Sequence, residues 1–529
     1  IANRRKFRTT NNERNDPQMS ASREKNKRKE QAQNVTPEVK NEKKGMSKGG
    51  KTALGIVIAV LAVAVIVFFS MLTTGFFAKH TTAATVGEHK LTPAMVDYFS
   101  TDAYSSFATN YSSYLSLFFD KNTALSEQTY NEETGESWAD YFITSGLTNA
   151  ASAYAIYDEA IANGFALTED QEASIQSQLD QMRSIATVYG YSSLNAFLVG
   201  QYGSGCNEKS YTEYMRINTI AQAYASSIAD GLTYTDDQIN AEYAANPNDY
   251  DGVTFRYFTF NSSRYTETTD SETELTDEEK QAQSDKAMAD AKAAAEEMAS
   301  KITDEQSFIN LSLEYAAEDE AETYAEANAT LHTDVAKSSA PSSLADWLFD
   351  ADRAEGDVTT VEASTGYQVA YFVSRQDHDV LTKNVRHILI KTEDGATSEE
   401  IAQAQATAED VLARYRAGEQ TEDAFAALFE ELLNDGTASE ATSYNIHPNQ
   451  MVQTFEDWCY DESRQPGDTA VIQSEYGFHV MYFVGDGDNY RHQLVENALK
   501  NNDYTTWYTG VTEKVTYEKA SGMAFVTKK

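Results

Sequence analysis

The chain has 529 residues, 41% of them hydrophobic, and a formal net charge of −40 at pH 7. That length exceeds one compact domain and, at roughly 150 residues per domain, suggests three or four. So large an acidic excess excludes nucleic acid as the partner of the bulk of the chain, and two cysteines, Cys206 and Cys459, exclude a Cys-based metal cluster and a disulfide framework.

The charge is unevenly spread. Residues 1–51 hold 15 Lys and Arg against 6 Asp and Glu, whereas residues 79–529 hold 27 against 76. The leader, 1–52, is basic, poor in aromatics and expected to be disordered. It begins at Ile1 rather than Met, which leaves room for a start upstream. The sign changes across Ala53–Ala78, "ALGIVIAVLAVAVIVFFSMLTTGFFA", 26 residues without a charge. A bilayer core needs about 20 apolar residues in a helix. A cleaved signal peptide would have a shorter apolar run of about 7–15 residues. The segment therefore reads as a membrane-spanning signal anchor. The basic side stays in the cytoplasm, and 79–529 lie outside the cell membrane. An exported chain with so few cysteines suits a bacterial envelope in which disulfides are little used.

Residues 79–249 read as helical. "SWADYFITSGLTNAASAYAIYDEAIANGFALTEDQEASIQSQLDQMRSIA" has apolar residues at three- and four-residue spacing, and "LTEDQ" offers a Thr N-cap with acidic residues after it. "TYTDDQINAEYAANPNDY" reads as another capped helix ending at Asn-Pro-Asn. The many tyrosines either pack between helices or line a groove for unfolded chains.

From residue 250 the chain repeats itself. "LADWLFDADRAEGDVTTVEASTGYQVAYFV" (344–373) lies over "FEDWCYDESRQPGDTAVIQSEYGFHVMYFV" (455–484) at an offset of 111, with 11 of 30 positions identical. "VTFRYFTF" (253–260) lies over "KNVRHILI" (383–390) at an offset of 130. The acidic stretch "TETTDSETELTDEEK" supplies the extra residues of the first copy. Between the anchors each copy holds a helical run, "KAMADAKAAAEEMASKI" and "EIAQAQATAEDVLARYRAG". The repeat implies two domains of one α+β fold, at 250–380 and 381–487.

The copies differ at their histidines. His387 and His479 stand inside apolar strands; the first copy has Tyr257 and Gln368 in their places. Joint loss implies that the two work as a pair. His447, beside Pro448, reads as a loop residue, and His89, His332, His378 and His492 show no partner pattern.

Residues 383–487 resemble the parvulin-type peptidyl-prolyl isomerases, through "VRHILIK" (385–391), "AEDVLARYRAGEQTEDAFAALFEE", "MVQTF" (451–455) and "GDTAVIQSEYGFHVMYF" (467–483). The wider chain resembles the PrsA-type foldases and SurA-type chaperones of bacterial envelopes. The resemblance implies a helical chaperone domain at 79–249, two tandem parvulin-like domains, and a C-terminal segment, 488–529, whose "YRHQLVENALKNNDYTTWYTGV" returns to the helical part. It also implies a Gram-positive cell membrane as location. His387 and His479 match the family's hydrogen-bonded pair. Met451 and Phe455 match its proline socket, unless they are plain core, and Tyr476 matches the residue before Gly in its last strand. Asp435 in "NDGTAS" is the candidate for the residue beside the substrate carbonyl. Asn434 is its rival, and an Asp-Gly turn is the alternative reading. The family's Gly-Gly-Asp-Leu-Gly stretch is replaced by "TSYNIH", so Tyr444 or Ile446 supplies the apolar wall. No basic cluster stands near "TEDGATSEE" to select phosphorylated substrates. The implied partners are unfolded or partly folded exported polypeptides with X-Pro bonds, with no cofactor and no metal. The implied activity is isomerase and foldase, or holdase alone if catalysis is lost.

Overall fold

The computed structural model describes residues 48–266 and 276–528, with side chains from Ile56 onward. Most of the basic leader and most of the acidic insertion of the first copy lie outside the described residues. Helix α1 (Lys48–Thr73) carries an 18-residue window, Ile56–Thr73, of mean hydropathy 3.0 with no residue buried. It is the one described helix long and apolar enough to cross a membrane. The chain then turns at Gly75 (φ 67°) into α2 (Phe76–His80). A Cβ on Gly75 would stand 2.7 Å from Ser204 Oγ and 2.8 Å from Gly205 N, so only glycine fits this elbow. Phe77 stacks on Phe525 at 5.0 Å, and Ala78 is buried. The apolar helix is thus joined to the helical part through a packed elbow rather than a loose tether.

A short hairpin, β1 (Ala84–Val86) and β2 (His89–Leu91), leads into α3 (Pro93–Asn110). The chain continues through β3 (Thr129–Asn131), β4 (Glu136–Ser137), α4 (Trp138–Ala162), α5 (Glu169–Val188), α6 (Leu194–Gln201), α7 (Glu208–Gly231) and α8 (Asp236–Ala245). The long periodic run is two helices, not one. It breaks at Asn163–Gly164, where Gly164 takes φ 71°, and restarts at Thr168, whose hydroxyl accepts the Gln171 N–H while Gln171 reaches back to the Thr168 N–H. Part of the tyrosine question is settled by packing: Tyr98 is fully buried and Tyr202, Tyr211 and Tyr214 surround it with ring centroids at 5.0–5.3 Å.

The first α+β unit runs β5 (Gly252–Asn261), α9 (Asp277–Lys301), α10 (Glu305–Tyr315), α11 (Ala321–Tyr324), β6 (Leu331–Ala336), α12 (Ala345–Leu348), β7 (Val358–Ala363) and β8 (Gly366–Gln376). The second runs β9 (Leu381–Lys391), α13 (Ser398–Ala417), α14 (Glu422–Asn434), β10 (Glu440–Ile446), α15 (Gln453–Cys459), β11 (Thr469–Ser474) and β12 (Gly477–Asn489). Their antiparallel sheets have the same order, β6-β5-β8-β7 and β10-β9-β12-β11. The register agrees as well: Tyr257 pairs with Ala370 as His387 pairs with Met481, at the two offsets read from the sequence. In the second unit one sheet face packs on α13 and α14 through Ile388, Ile390, Phe478, Val480 and Tyr482. The other face meets α15 through Val385, Phe455, Cys459, Met481 and Phe483.

Helix α16 (Tyr490–Thr512) returns to the helical part. Trp507 Nε1 donates to Glu159 Oε1 at 2.8 Å, and Val511 is buried among Ile156, Ala160 and Tyr224. Strand β13 (Tyr517–Lys519) then completes a three-stranded sheet, β13-β1-β2, and the Thr527 N–H donates to Asp97 Oδ1 at 2.7 Å.

The parts meet at one strained junction. Among the described residues three non-glycine residues have positive φ: Asp334 (52°), His378 (57°) and Asn449 (64°). All three touch. His378 Nε2 lies 2.7 Å from Asp334 Oδ1, and its Nδ1 lies 2.8 Å from the Tyr250 carbonyl oxygen. Asn449 Nδ2 donates to Asp334 Oδ2 at 3.3 Å. The Tyr490 ring packs against His378 and lies parallel to His447 at 4.2 Å. His378 and His447, without visible partners in the sequence, are therefore both engaged here. Burial alone would lower the His378 pKa, but the Asp334 hydrogen bond and charge outweigh it and hold it above the ordinary imidazole value. A raised imidazole pKa gives stability that is complete below the ordinary value and is lost as pH rises through the raised one. His378→Asn, which keeps the left-handed backbone tolerable, is expected to weaken the junction by about 1–3 kcal/mol. Limited proteolysis across 376–381 should speed up in the variant, and in the wild type as pH rises through the raised His378 pKa. Unchanged cleavage in both would show that the ion pair does not hold the junction.

Candidate active site

His387 on β9 and His479 on β12 are 2% and 5% exposed. His387 pairs with Met481, and His479 with Leu389, so the two imidazoles sit diagonally on the face toward α15. Their Nδ1 atoms are 3.1 Å apart. The sharp β11–β12 turn places a third group: Ser474 Oγ lies 2.7 Å from His479 Nε2 and accepts the Tyr476 N–H at 3.1 Å. Gly477 makes that turn possible, since at φ 135° a Cβ would stand 2.3 Å from the Ile390 carbonyl oxygen.

Ser474 Oγ accepts the Tyr476 N–H and still has its own hydroxyl proton and a second lone pair to offer His479 Nε2, so two neutral arrangements fit the contacts. In one, Ser474 donates to His479 Nε2 and His479 Nδ1–H donates to His387 Nδ1; in the other, His479 Nε2–H donates to Ser474 and His387 Nδ1–H donates to His479 Nδ1. In both, one imidazole donates to the other, and His387 Nε2 has no partner among the described residues. Burial pushes both imidazoles down to about 4, His479 acting further on His387, while the Glu440 charge opposes the shift. Both rings are neutral at pH 7.

Aromatic rings enclose the pair. Phe455 of α15 stands edge-on to His387 (5.4 Å, 82°) and to His479 (5.3 Å, 89°), and Tyr444 of β10 lies over His387 at 5.2 Å. Phe455 and Ile446 are fully buried and form a floor; Met451, Tyr444 and Ile472 are half-buried around it. Tyr476 is 54% exposed, and it is its backbone that serves the pair, through Ser474.

Asp435 is not part of this cluster. It closes α14 at the surface, and its Oδ1 accepts the Thr437 N–H at 2.8 Å, the Asp-Gly turn of the alternative reading; hydrogen bonds from Thr437 hold its carboxyl below the usual range. Its rival Asn434 is also occupied locally, donating to the Glu430 carbonyl oxygen. The acidic group whose charge acts on the histidines is Glu440. It shares a face of β10 with Thr442 and Tyr444 and accepts the Tyr444 hydroxyl at 3.0 Å. Ser474 and Glu440 were both missed in the sequence. No motif in the sequence marks either of them. Cys459 lies fully buried beneath the site, its thiol pushed by burial up to about 12, and is inert packing.

Depressed imidazole pKa values carry a consequence for stability. Between pH about 6.5 and 4 the unfolded chain binds protons that the folded site refuses, so stability falls as pH is lowered through that window and is level above it. Urea unfolding measured at pH 7.5 and 5.0 should show this fall. In a His387→Phe/His479→Phe double variant it should be smaller, with the remaining carboxylates as background. An equal fall in both proteins would mean that the pair is not held neutral.

The comparisons agree with this geometry. Residues 387–485 match the family model "Rotamase: PPIC-type PPIASE domain", a stretch that starts at the first histidine and ends just past the strand segment bearing the second. No curated protein sequence matches the chain. Among solved structures, PrsA peptidylprolyl isomerase from Bacillus cereus is 13% identical over 58% of this chain and 86% of that one, with a TM-score of 0.18. PrsA from Bacillus subtilis is 11% identical over 58% and 91%, with a TM-score of 0.15. At such scores nothing is implied about the arrangement of the parts. Residues 387–485 are a parvulin-type peptidyl-prolyl cis-trans isomerase domain.

Proposed function

We propose that the chain is a membrane-anchored foldase that catalyses X-Pro isomerisation in exported polypeptides outside the cell membrane, with α1 as the anchor and the 381–487 domain as the catalytic part. The observation that carries the catalytic reading is the neutral imidazole pair under apolar and aromatic side chains. Rotation about an X-Pro bond meets a barrier of about 18–20 kcal/mol because the planar amide is resonance-stabilised. In the twisted amide the carbonyl oxygen gives back part of its negative charge. A dry surface without net charge favours that less polar state over the planar one. An imidazolium would do the reverse by stabilising the charge of the planar carbonyl. Met451, Phe455 and Tyr444 are the proposed walls for the prolyl ring. His387, His479 and Ser474 keep the surface beneath it uncharged, and Glu440 orients Tyr444 through its hydroxyl.

The first α+β unit has the same sheet order without the pair. Gln368 accepts from Ser343 at 2.6 Å, Tyr257 stacks on His332, and Leu344 fills the place of Phe455 with no exposure. We read it as a degenerate parvulin-like domain that acts as a spacer. A holding function for unfolded chains is assigned to the helical part, where Tyr111, Tyr114, Leu117, Phe118 and Tyr130 are 39–79% exposed.

In a protease-coupled assay on an X-Pro peptide, the full chain in detergent is expected to exceed the uncatalysed rate. Phe455→Ala and Tyr444→Ala should each lower kcat/KM at least about tenfold, equivalent to about 1.4 kcal/mol of transition-state binding. Activity in the wild type should fall as pH approaches 4, where protonation of the pair sets in. A wild-type rate equal to the uncatalysed one, with the protein folded, would leave the holding function alone.

A further inference from the structure

The exterior of this chain is strongly acidic, yet one concavity is basic. A cavity of about 310 Å³ beside the end of α2 is lined by Lys79, His80, Lys90 and Lys209, with Thr92 and a single carboxylate, Glu213. Elsewhere on this surface lysines are commonly ion-paired, as at Lys286–Asp290, Lys301–Glu297 and Lys500–Glu496. None of the three lysines of the cavity has a carboxylate within 4.0 Å among the described residues; Lys79 Nζ reaches only the Thr74 carbonyl oxygen, at 3.4 Å. Three ammonium groups converge without the counter-charge that the rest of the sequence offers in excess.

Their position identifies the counter-charge. Lys79 and His80 come within seven residues of the end of the apolar window at Thr73. They are the first residues after the uncharged run that ends at Ala78, beyond the Gly75 elbow, which puts them at the boundary between the apolar layer and water. The Gly75 elbow and the Phe77–Phe525 contact fix the cavity relative to α1. Lys90 and Lys209 come from β2 and the first turn of α7, so folding of the helical part, not sequence proximity, assembles the cluster.

We propose that this cavity binds the phosphate of an anionic lipid headgroup, seating an otherwise acidic body on an anionic membrane. The proposal rests on the reading that α1 spans the membrane. Each ammonium near such a surface contributes favourably, against the one carboxylate of the lining, Glu213.

The test uses the full chain reconstituted in nanodiscs of phosphatidylcholine, with or without 30% phosphatidylglycerol. Hydrogen exchange is read over 79–92 and 205–213. Exchange there is expected to slow about tenfold when the anionic lipid is present. The triple variant Lys79→Gln/Lys90→Gln/Lys209→Gln should lose that slowing while its isomerase activity and circular dichroism stay unchanged. Identical exchange in both lipids, with α1 shielded from protease, would overturn the site while sparing the anchor; an α1 open to protease in both would overturn the anchor and the lipid site with it. Slowing by 10 mM inorganic phosphate in phosphatidylcholine discs, without any effect of phosphatidylglycerol, would also overturn the lipid assignment.

Discussion

One hydrogen bond between two imidazoles determines what the second α+β unit is. Two polar rings buried in the centre of a sheet would be costly if left alone, because each would carry an unsatisfied donor or acceptor into an apolar layer. Placed diagonally on neighbouring strands they share a hydrogen bond, with Ser474 closing the His479 end and His387 Nε2 left as the ring nitrogen of the pair without a partner among the described residues. The strands on which they stand could then remain apolar on both faces, with Val480 and Tyr482 turned to the helices and Met481 and Phe483 to α15. Burial sets the protonation state, the protonation state sets the polarity of the surface, and that polarity suits rotation about an amide rather than bond cleavage.

The same unit without the pair shows what the pair is for. The first sheet keeps order, register and the turn before its last long strand, and fills the corresponding positions with Tyr257, Gln368 and Leu344. The fold does not need imidazoles for stability, since a stacked tyrosine and a glutamine bonded to Ser343 serve as well. This is the physical content of the joint substitution: a half-pair would strand a polar ring, so the two histidines are kept or lost as one.

Much of this was legible in the sequence for physical reasons. Strand periodicity and the two constant offsets exposed the repeated unit, because register errors in a buried sheet flip every side chain and are not tolerated. Thr168 and Thr235 announced their helices because capping is local chemistry. What failed depended on the path of a loop. Asp435 was placed by analogy across a stretch where "TSYNIH" replaces a glycine-rich one, and it stands exposed as the C-cap of α14. Glu440 is the carboxylate whose charge reaches the histidines, because strand alternation sets 440, 442 and 444 on one face, which was readable only once β10 was known to begin there. The left-handed residues Asp334, His378 and Asn449 left no signal, because their strain is imposed by parts of the chain far from one another.

The return of the C-terminus to β1 has a bearing on the order in which the molecule comes into being. Ala84 finds its strand partner in Lys519, so this segment waits for one that is made 435 residues later. At about 5–20 residues per second, the interval between them is on the order of 20–90 s. Both α+β units, whose strands and helices are contiguous, can mature within that interval, whereas the helical body closes last around a seam left open. A newly made chain therefore carries finished isomerase before it has a finished body, and during that minute its own helical part is itself an incompletely folded polypeptide.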